Sequence, residues 1–232
     1  MDASYVDLGD PTHLEFDYMR WLRIVLRTVR ARSVLHIGGG ACALARALAA
    51  EDPGGRQEVC EADAEVLRVA RAHLGLRRAP GLRVRHSEGR AFLSAHPGQT
   101  WDAIVVDAFT GAVVPRGLVT TEATHALARA TPLALVNVVD DRAWREVLLI
   151  AAALADAFPL VWTLGARAGN MLVAGCRAAP DLQRIAAAAA ADLAPARVTG
   201  PEATASRVAG VIPLRDRSLG ANDGASPVQS GE

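Results

Sequence analysis

The stretch Ser33-Val34-Leu35-His36-Ile37-Gly38-Gly39-Gly40-Ala41-Cys42-Ala43 decides the fold. Its first five residues make a short apolar strand that three glycines stop abruptly. Beyond them Ala43, Leu44, Ala47 and Leu48 recur at helical spacing. Strand, glycine turn and helix in immediate succession open a β–α unit. Glycines let the backbone turn sharply and approach a ligand closely, while the next helix offers unpaired N–H groups at its start. The loop also satisfies G-x-G-x-x-A, so a nicotinamide dinucleotide stays open at this point.

The same rhythm continues downstream. A second strand, Gln57 to Cys60, ends in Glu61, and Asp63 is placed to cap a helix carrying Val66, Leu67, Ala70 and Leu74. Leu82 to Arg85 reads as a third strand, followed by Glu88-Gly89-Arg90 and a short helix with Phe92 and Leu93. Asp102 to Asp107 is a very apolar fourth strand, Pro132 to Val139 a fifth, and Trp144 to Ala157 a long helix. The pattern then changes. Leu160–Leu164 and Asn170–Ala174 flank a glycine-bearing turn from Gly165 to Gly169, which spells a hairpin rather than another crossover.

Upstream, Asp10-Pro11-Thr12 predicts a helix start with Asp10 as its cap and Pro11 in the first turn. Tyr18, Trp21, Leu22, Val25 and Val29 define its buried face, and Arg20, Arg23, Arg27 and Arg30 a solvated one. The expected class is therefore α/β: a doubly wound, mostly parallel sheet closed by a C-terminal antiparallel hairpin. The expected division is a strand remnant in residues 1–12 (Tyr5 to Leu8), a ligand-binding domain over 13–194, and a flexible tail over 195–232. Gly, Pro, Ser and Ala dominate that tail, and its last dozen residues read as disordered.

Composition narrows the chemistry. The chain has 232 residues, enough to bury roughly 70% of its unfolded surface without a disulfide or metal staple. Twenty-five basic residues balance 25 acidic ones, which removes the electrostatic footprint of a nucleic-acid or membrane-surface binder. All the basic residues are arginine. P-loop kinases, Schiff-base enzymes, pyridoxal-phosphate enzymes and Tyr-x-x-x-Lys dehydrogenases each need a lysine amine, so all four are excluded. Cys42, Cys60 and Cys176 are odd in number and lack a C-x-x-C spacing, which fits buried small hydrophobes in a reducing compartment. No secretory h-region and no apolar run of membrane-spanning length occur, so a soluble cytoplasmic protein is expected. The six histidines show no metal spacing, and His36 reads as a satisfied core residue.

Ligands of open α/β sheets bind beyond the carboxyl ends of the strands, and four groups collect there. Gly38, Gly39 and Gly40 form the first. Glu61, with Ala62 beside it, ends the second strand, where a carboxylate can accept both ribose hydroxyls; the alternative is a helix cap, for which Asp63 is better placed. Glu88-Gly89 follows the third strand, where the acid can accept from an adenine amino group or simply cap its helix. Asp107 ends the fourth. A carboxylate there is costly to bury without a partner or a task, and it can orient a nucleophile or take its proton.

Taken in order, these motifs resemble the spermidine synthase-like family of class-I S-adenosylmethionine (SAM) transferases. The resemblance runs from about Tyr5 to Arg177. Glu15-Phe16-Asp17-Tyr18 is similar to the family segment whose tyrosine lines the amine pocket, and Val34 to Gly40 to its cofactor loop. Cys60-Glu61-Ala62-Asp63 resembles the ribose-holding motif, Glu88 to Leu93 the adenine segment, and Asp102 to Asp107 the strand ending in the catalytic aspartate. The resemblance implies SAM or decarboxylated SAM as cofactor, no metal, a small-molecule acceptor lined by Tyr18 and Thr110, and a homodimer. It implies no nucleic-acid or membrane partner.

The departures bear on the reaction. The aspartate that binds the ammonium of decarboxylated SAM is replaced by Ala41, a second acceptor-side aspartate by Thr110, and the histidine beside the pocket tyrosine by Met19. Losing two carboxylates should cost a polycationic amine several kcal/mol, on the scale of about 1.5–3 kcal/mol per charged hydrogen bond. Losing the loop acid also removes repulsion against the carboxylate of SAM. The favoured expectation is alkyl transfer, methyl over aminopropyl, to an amine or hydroxyl oriented or deprotonated by Asp107. The alternatives are a genuine spermidine synthase acting on putrescine, and a non-catalytic nucleoside-binding or regulatory module.

Overall fold

The computed structural model describes residues 4–76, 81–141 and 143–219. Along the chain they form α1 (Asp17–Thr28), β1 (Ser33–Ile37), α2 (Ala43–Glu51), β2 (Arg56–Glu61), α3 (Ala64–His73), β3 (Leu82–His86), α4 (Gly89–Ala95) and β4 (Ala103–Val106). These are followed by α5 (Thr121–Ala130), β5 (Leu133–Asp140), α6 (Arg145–Ala155), β6 (Leu160–Gly165), β7 (Gly169–Cys176), α7 (Leu182–Ala190), β8 (Arg197–Thr199) and α8 (Pro201–Val208).

All eight strands join one sheet in the order β3-β2-β1-β4-β5-β7-β6-β8. The first five pair in parallel, β7 runs antiparallel to β5 and β6, and β8 runs antiparallel to β6. The expected doubly wound sheet with its closing hairpin is thus what the chain forms. Strand order reverses between β1 and β4, which places a crevice beyond their carboxyl ends.

Alternating side chains divide the core. Val34, Val105 and Leu135 pack with α1, α2 and α7 on one face, while Leu35, Ile104 and Val136 pack with α5 and α6 on the other. A smaller cluster, with Cys42, Ala45, Val59, Leu67 and Ala70, seats α3 beside α2. Leu22 and Leu26 of α1 are fully buried, each contributing about 2 kcal/mol by area transfer. This clamps α1 over the sheet's α2 and α7 side.

Three local expectations differ. Asp10 does not cap α1: its Oδ1 accepts from the Thr12 N–H at 2.9 Å and from the Thr12 hydroxyl, closing a tight turn, and the helix begins at Asp17. An aspartate that finds a local partner two residues on competes with helix initiation. Tyr5 to Leu8 forms no strand; Asp7 Oδ1 instead accepts from the N–H groups of Gly9 and Asp10. Residues 195–219 are not a featureless tail. Gly200 precedes Pro201 at the first turn of α8, and β8 extends the sheet through Thr163↔Thr199 to Gly165↔Arg197. Alanine- and glycine-rich composition concealed buried anchors there, Ala196 and Thr204. The last dozen residues lie outside the described residues.

The arginine face of α1 is more occupied than a solvated stripe. Arg20 pairs with Asp17 and Asp192, and Arg23 and Arg27 with Glu51. Among the described residues, no helix is long and apolar enough to cross a membrane, and no group of His, Cys, Asp or Glu is placed to hold a metal ion.

Candidate active site at the β1/β4 crevice

The glycine turn exists because the β1 and β4 ends must meet. Gly38 takes a positive φ of 83°, and a Cβ there would collide with the Asp107 carbonyl. The backbone of Asp107 is tied to β1 by its own N–H, which donates to the Ile37 carbonyl at 2.8 Å. The turn and the backbone of Asp107 are therefore positioned together.

Glu61, at the end of β2, ties down the loop. Its Oε2 accepts from the N–H groups of Gly39 (2.9 Å) and Gly40 (3.0 Å), and its Oε1 accepts from Asp63 N–H (2.9 Å). Asp63 performs the capping of α3, accepting from Glu65 and Val66 N–H groups. Ala41 N–H donates to the Ser4 hydroxyl at 3.3 Å. Ala62 is exposed, with its carbonyl 3.0 Å from the His86 ring nitrogen Nε2.

Glu88 sits at the end of the β3 connection. Both its oxygens accept helix-start N–H groups, from Arg90 at 3.0 Å and Ala91 at 2.6 Å, so it caps α4. It is nonetheless exposed, and a carboxylate has lone pairs beyond two bonds. Gly89 is buried, and a Cβ there would strike the Ile37 side chain. Its lack of a side chain lets α4 start directly against β1.

Asp107 is half-buried. Tyr18 Oη donates to its Oδ2 at 3.1 Å, and Asn137 Nδ2 donates to its Oδ1 at 2.8 Å. Burial pushes the Asp107 carboxyl above its ordinary range, against the pull of these two hydrogen bonds. Burial and the nearby carboxylate raise the Tyr18 phenol further, so it stays protonated as a donor. Phe16 stacks on the Tyr18 ring, with centroids 6.0 Å apart and planes at 13°. A cavity of about 20 Å³ adjoins Asp107, lined also by Met19, His36 and Cys42. That is room for one water. His36 is buried and bonds Gln57 Oε1 at 3.0 Å, as expected of a core histidine, and burial lowers its pKa to about 4.

The structure thus brings Gly38, Gly39, Gly40 and Glu61 together, and Tyr18 with Asp107. Thr110 stands apart in an exposed loop, bridged by backbone to Val113. Asn137 escaped the sequence reading. Its signal was a lone amide within the buried apolar run of β5.

Glu61, Glu88 and Asp107 put carboxylates at the ends of β2, β3 and β4. This acceptor-rich edge fits a cationic nucleoside whose ribose hydroxyls and amino group are donors. The fold is the architecture of the spermidine synthase-like, class-I SAM-dependent transferases. The particular likeness is to a probable spermidine synthase from Corynebacterium glutamicum, 25% identical over 98% of this chain and 88% of that one, with a TM-score of 0.83. Spermidine synthase from Thermotoga maritima is similar over 73% of this chain and 62% of its own, at 18% identity and a TM-score of 0.60. Human methyltransferase-like protein 13, solved in complex with SAH, is similar over 87% and 95%, at 16% identity and a TM-score of 0.59. No family model and no curated protein matches the sequence.

Proposed function

We propose that this chain is a transferase that binds SAM and moves its methyl group to a small amine or hydroxyl acceptor. The observation that carries the reading is Asp107, a carboxylate at the switch point of the sheet whose oxygens are held by Tyr18 and Asn137.

Gly38 to Gly40 would pass beside the methionine part of the donor. Glu61, with Ala62, would hold the ribose hydroxyls, and Glu88 with Gly89 the adenine. The bound donor supplies an electrophilic carbon on a sulfonium, so the protein's task is chiefly to bring the acceptor into line. Asp107 would accept the hydrogen of the acceptor's N–H or O–H, orienting its lone pair and then taking the proton. Tyr18 would line the acceptor side and stay a phenol, and Thr110 would stand at the rim of the pocket.

Methyl transfer is favoured because Asp107 has Tyr18, Met19, His36 and Asn137 around it, none of them a second carboxylate. A polycationic amine would find little to replace its hydration there. The likeness to a probable spermidine synthase over 98% of the chain favours a second reading. That reading is aminopropyl transfer from decarboxylated SAM to putrescine, a step of polyamine biosynthesis, by a homodimer.

Calorimetric titration with SAM, decarboxylated SAM, methylthioadenosine and NAD decides between them. Tighter binding of SAM than of its decarboxylated form supports methyl transfer, and the reverse preference supports the polyamine reading. Silence from all three sulfur nucleosides would overturn both.

A further inference from the structure

Asn137 presents a problem that packing does not solve. It is 1% exposed, and its Oδ1 has no hydrogen-bond partner among the described residues. Burying an amide with half its capacity unused is unfavourable, and an apolar residue of similar size would fill the space without that cost. The neighbours on the same strand face and register, Leu135 and Leu172, are apolar and fully buried. What the amide does is donate Nδ2–H to Asp107 Oδ1 at 2.8 Å, across 30 positions of sequence.

Among the described residues, no cation balances Asp107. Its carboxylate makes no ion pair among the described residues, and the side chains facing it are neutral. Tyr18 approaches from α1, His36 from β1 and Cys42 from the turn before α2, the last two across the small cavity. Burial lowers the His36 pKa to about 4 and raises that of Cys42 to about 12, so neither carries charge at neutral pH. The Asp107 charge therefore rests on two neutral donors, one per oxygen.

We infer that Asn137 is the positioning residue of the site: its amide keeps Asp107 ionised and fixes which lone pairs the carboxylate turns toward the acceptor. An amide N–H bonds a carboxylate more strongly than a neutral carboxyl, so it favours the ionised form, and a protonated Asp107 could not take a proton from the acceptor. The inference rests on the reading of Asp107 as the proton-accepting group.

The test is a carbon-13 NMR titration of the full chain labelled at the aspartate carboxyls, with the Asp107 signal identified by its loss in Asp107→Asn. Asp107 is expected to be ionised at neutral pH in the unaltered protein. Its midpoint should rise by about one to two pH units in Asn137→Leu, since a hydrogen bond to a charged group is lost. In the near-isosteric Asn137→Asp, two facing carboxyls should titrate in separate steps, the upper one above the original midpoint. A protonated Asp107 at neutral pH in the unaltered chain, or an unmoved midpoint in whichever variant folds, would overturn the inference. Binding of S-adenosylhomocysteine, measured in parallel, tests the transferase reading separately: its loss in the unaltered chain leaves the titration result standing.

Discussion

The Tyr18 phenol, in the first turn of α1, donates to the Asp107 carboxylate at the end of β4, 3.1 Å away and 89 positions along the chain. The bond joins the acceptor-side helix to the group that would take the acceptor's proton. Tyr18→Phe should reduce transfer about tenfold to a hundredfold, the equivalent of about 1.5–3 kcal/mol for a charged hydrogen bond. Steady-state kinetics should show the loss in kcat, with the acid limb of the pH profile displaced upward.

Asp107→Asn removes the base and keeps its shape. Transfer should fall by about 10²–10⁴-fold. The variant should also gain stability relative to the unaltered chain as pH rises. The folded-state pKa of Asp107 lies above its unfolded value, so ionisation disfavours the fold at pH above both. Thermal melts of the two proteins should converge in acid and diverge toward neutral pH; parallel melts would contradict this.

His36 works in the opposite direction. Its folded pKa of about 4 lies below the ordinary 6.5, so the fold is fully supported above about 6.5 and weakened as pH falls toward 4. The loss is about 3 kcal/mol at most, at 1.36 kcal/mol per unit. Urea unfolding across that window should show the slope, and His36→Asn should flatten it.

Glu61 tests the nucleoside side. Glu61→Gln keeps its size but loses the charge that holds the Gly39 and Gly40 amides and would hold the ribose hydroxyls. Affinity for S-adenosylhomocysteine should fall about tenfold to a hundredfold by calorimetry. Unchanged affinity would remove Glu61 from the cofactor site.

Gly89→Ala should destabilise the fold by about 1–3 kcal/mol in urea unfolding, because its Cβ strikes Ile37 where α4 abuts β1.

The sequence by itself determined the elements whose signal is local. Short apolar runs placed β1 to β7, helical spacing placed α1 to α4 and α6, and the glycine run marked the turn. Asp63 was legible as a cap because its partners, Glu65 and Val66, are its own near neighbours. Asp10 misled for the same reason: its local partner, Thr12, formed a turn instead of a helix start. Composition hid β8 and α8, whose stability comes from packing against β6 and α6. Only the tertiary structure decided what surrounds Asp107. Parallel pairing sets Val106 beside Val136, and this register alone brings Asn137 next to Asp107. Packing of α1 against the sheet then delivers Tyr18 to its other oxygen. No local pattern encodes either meeting, because each depends on how separate elements align across the core.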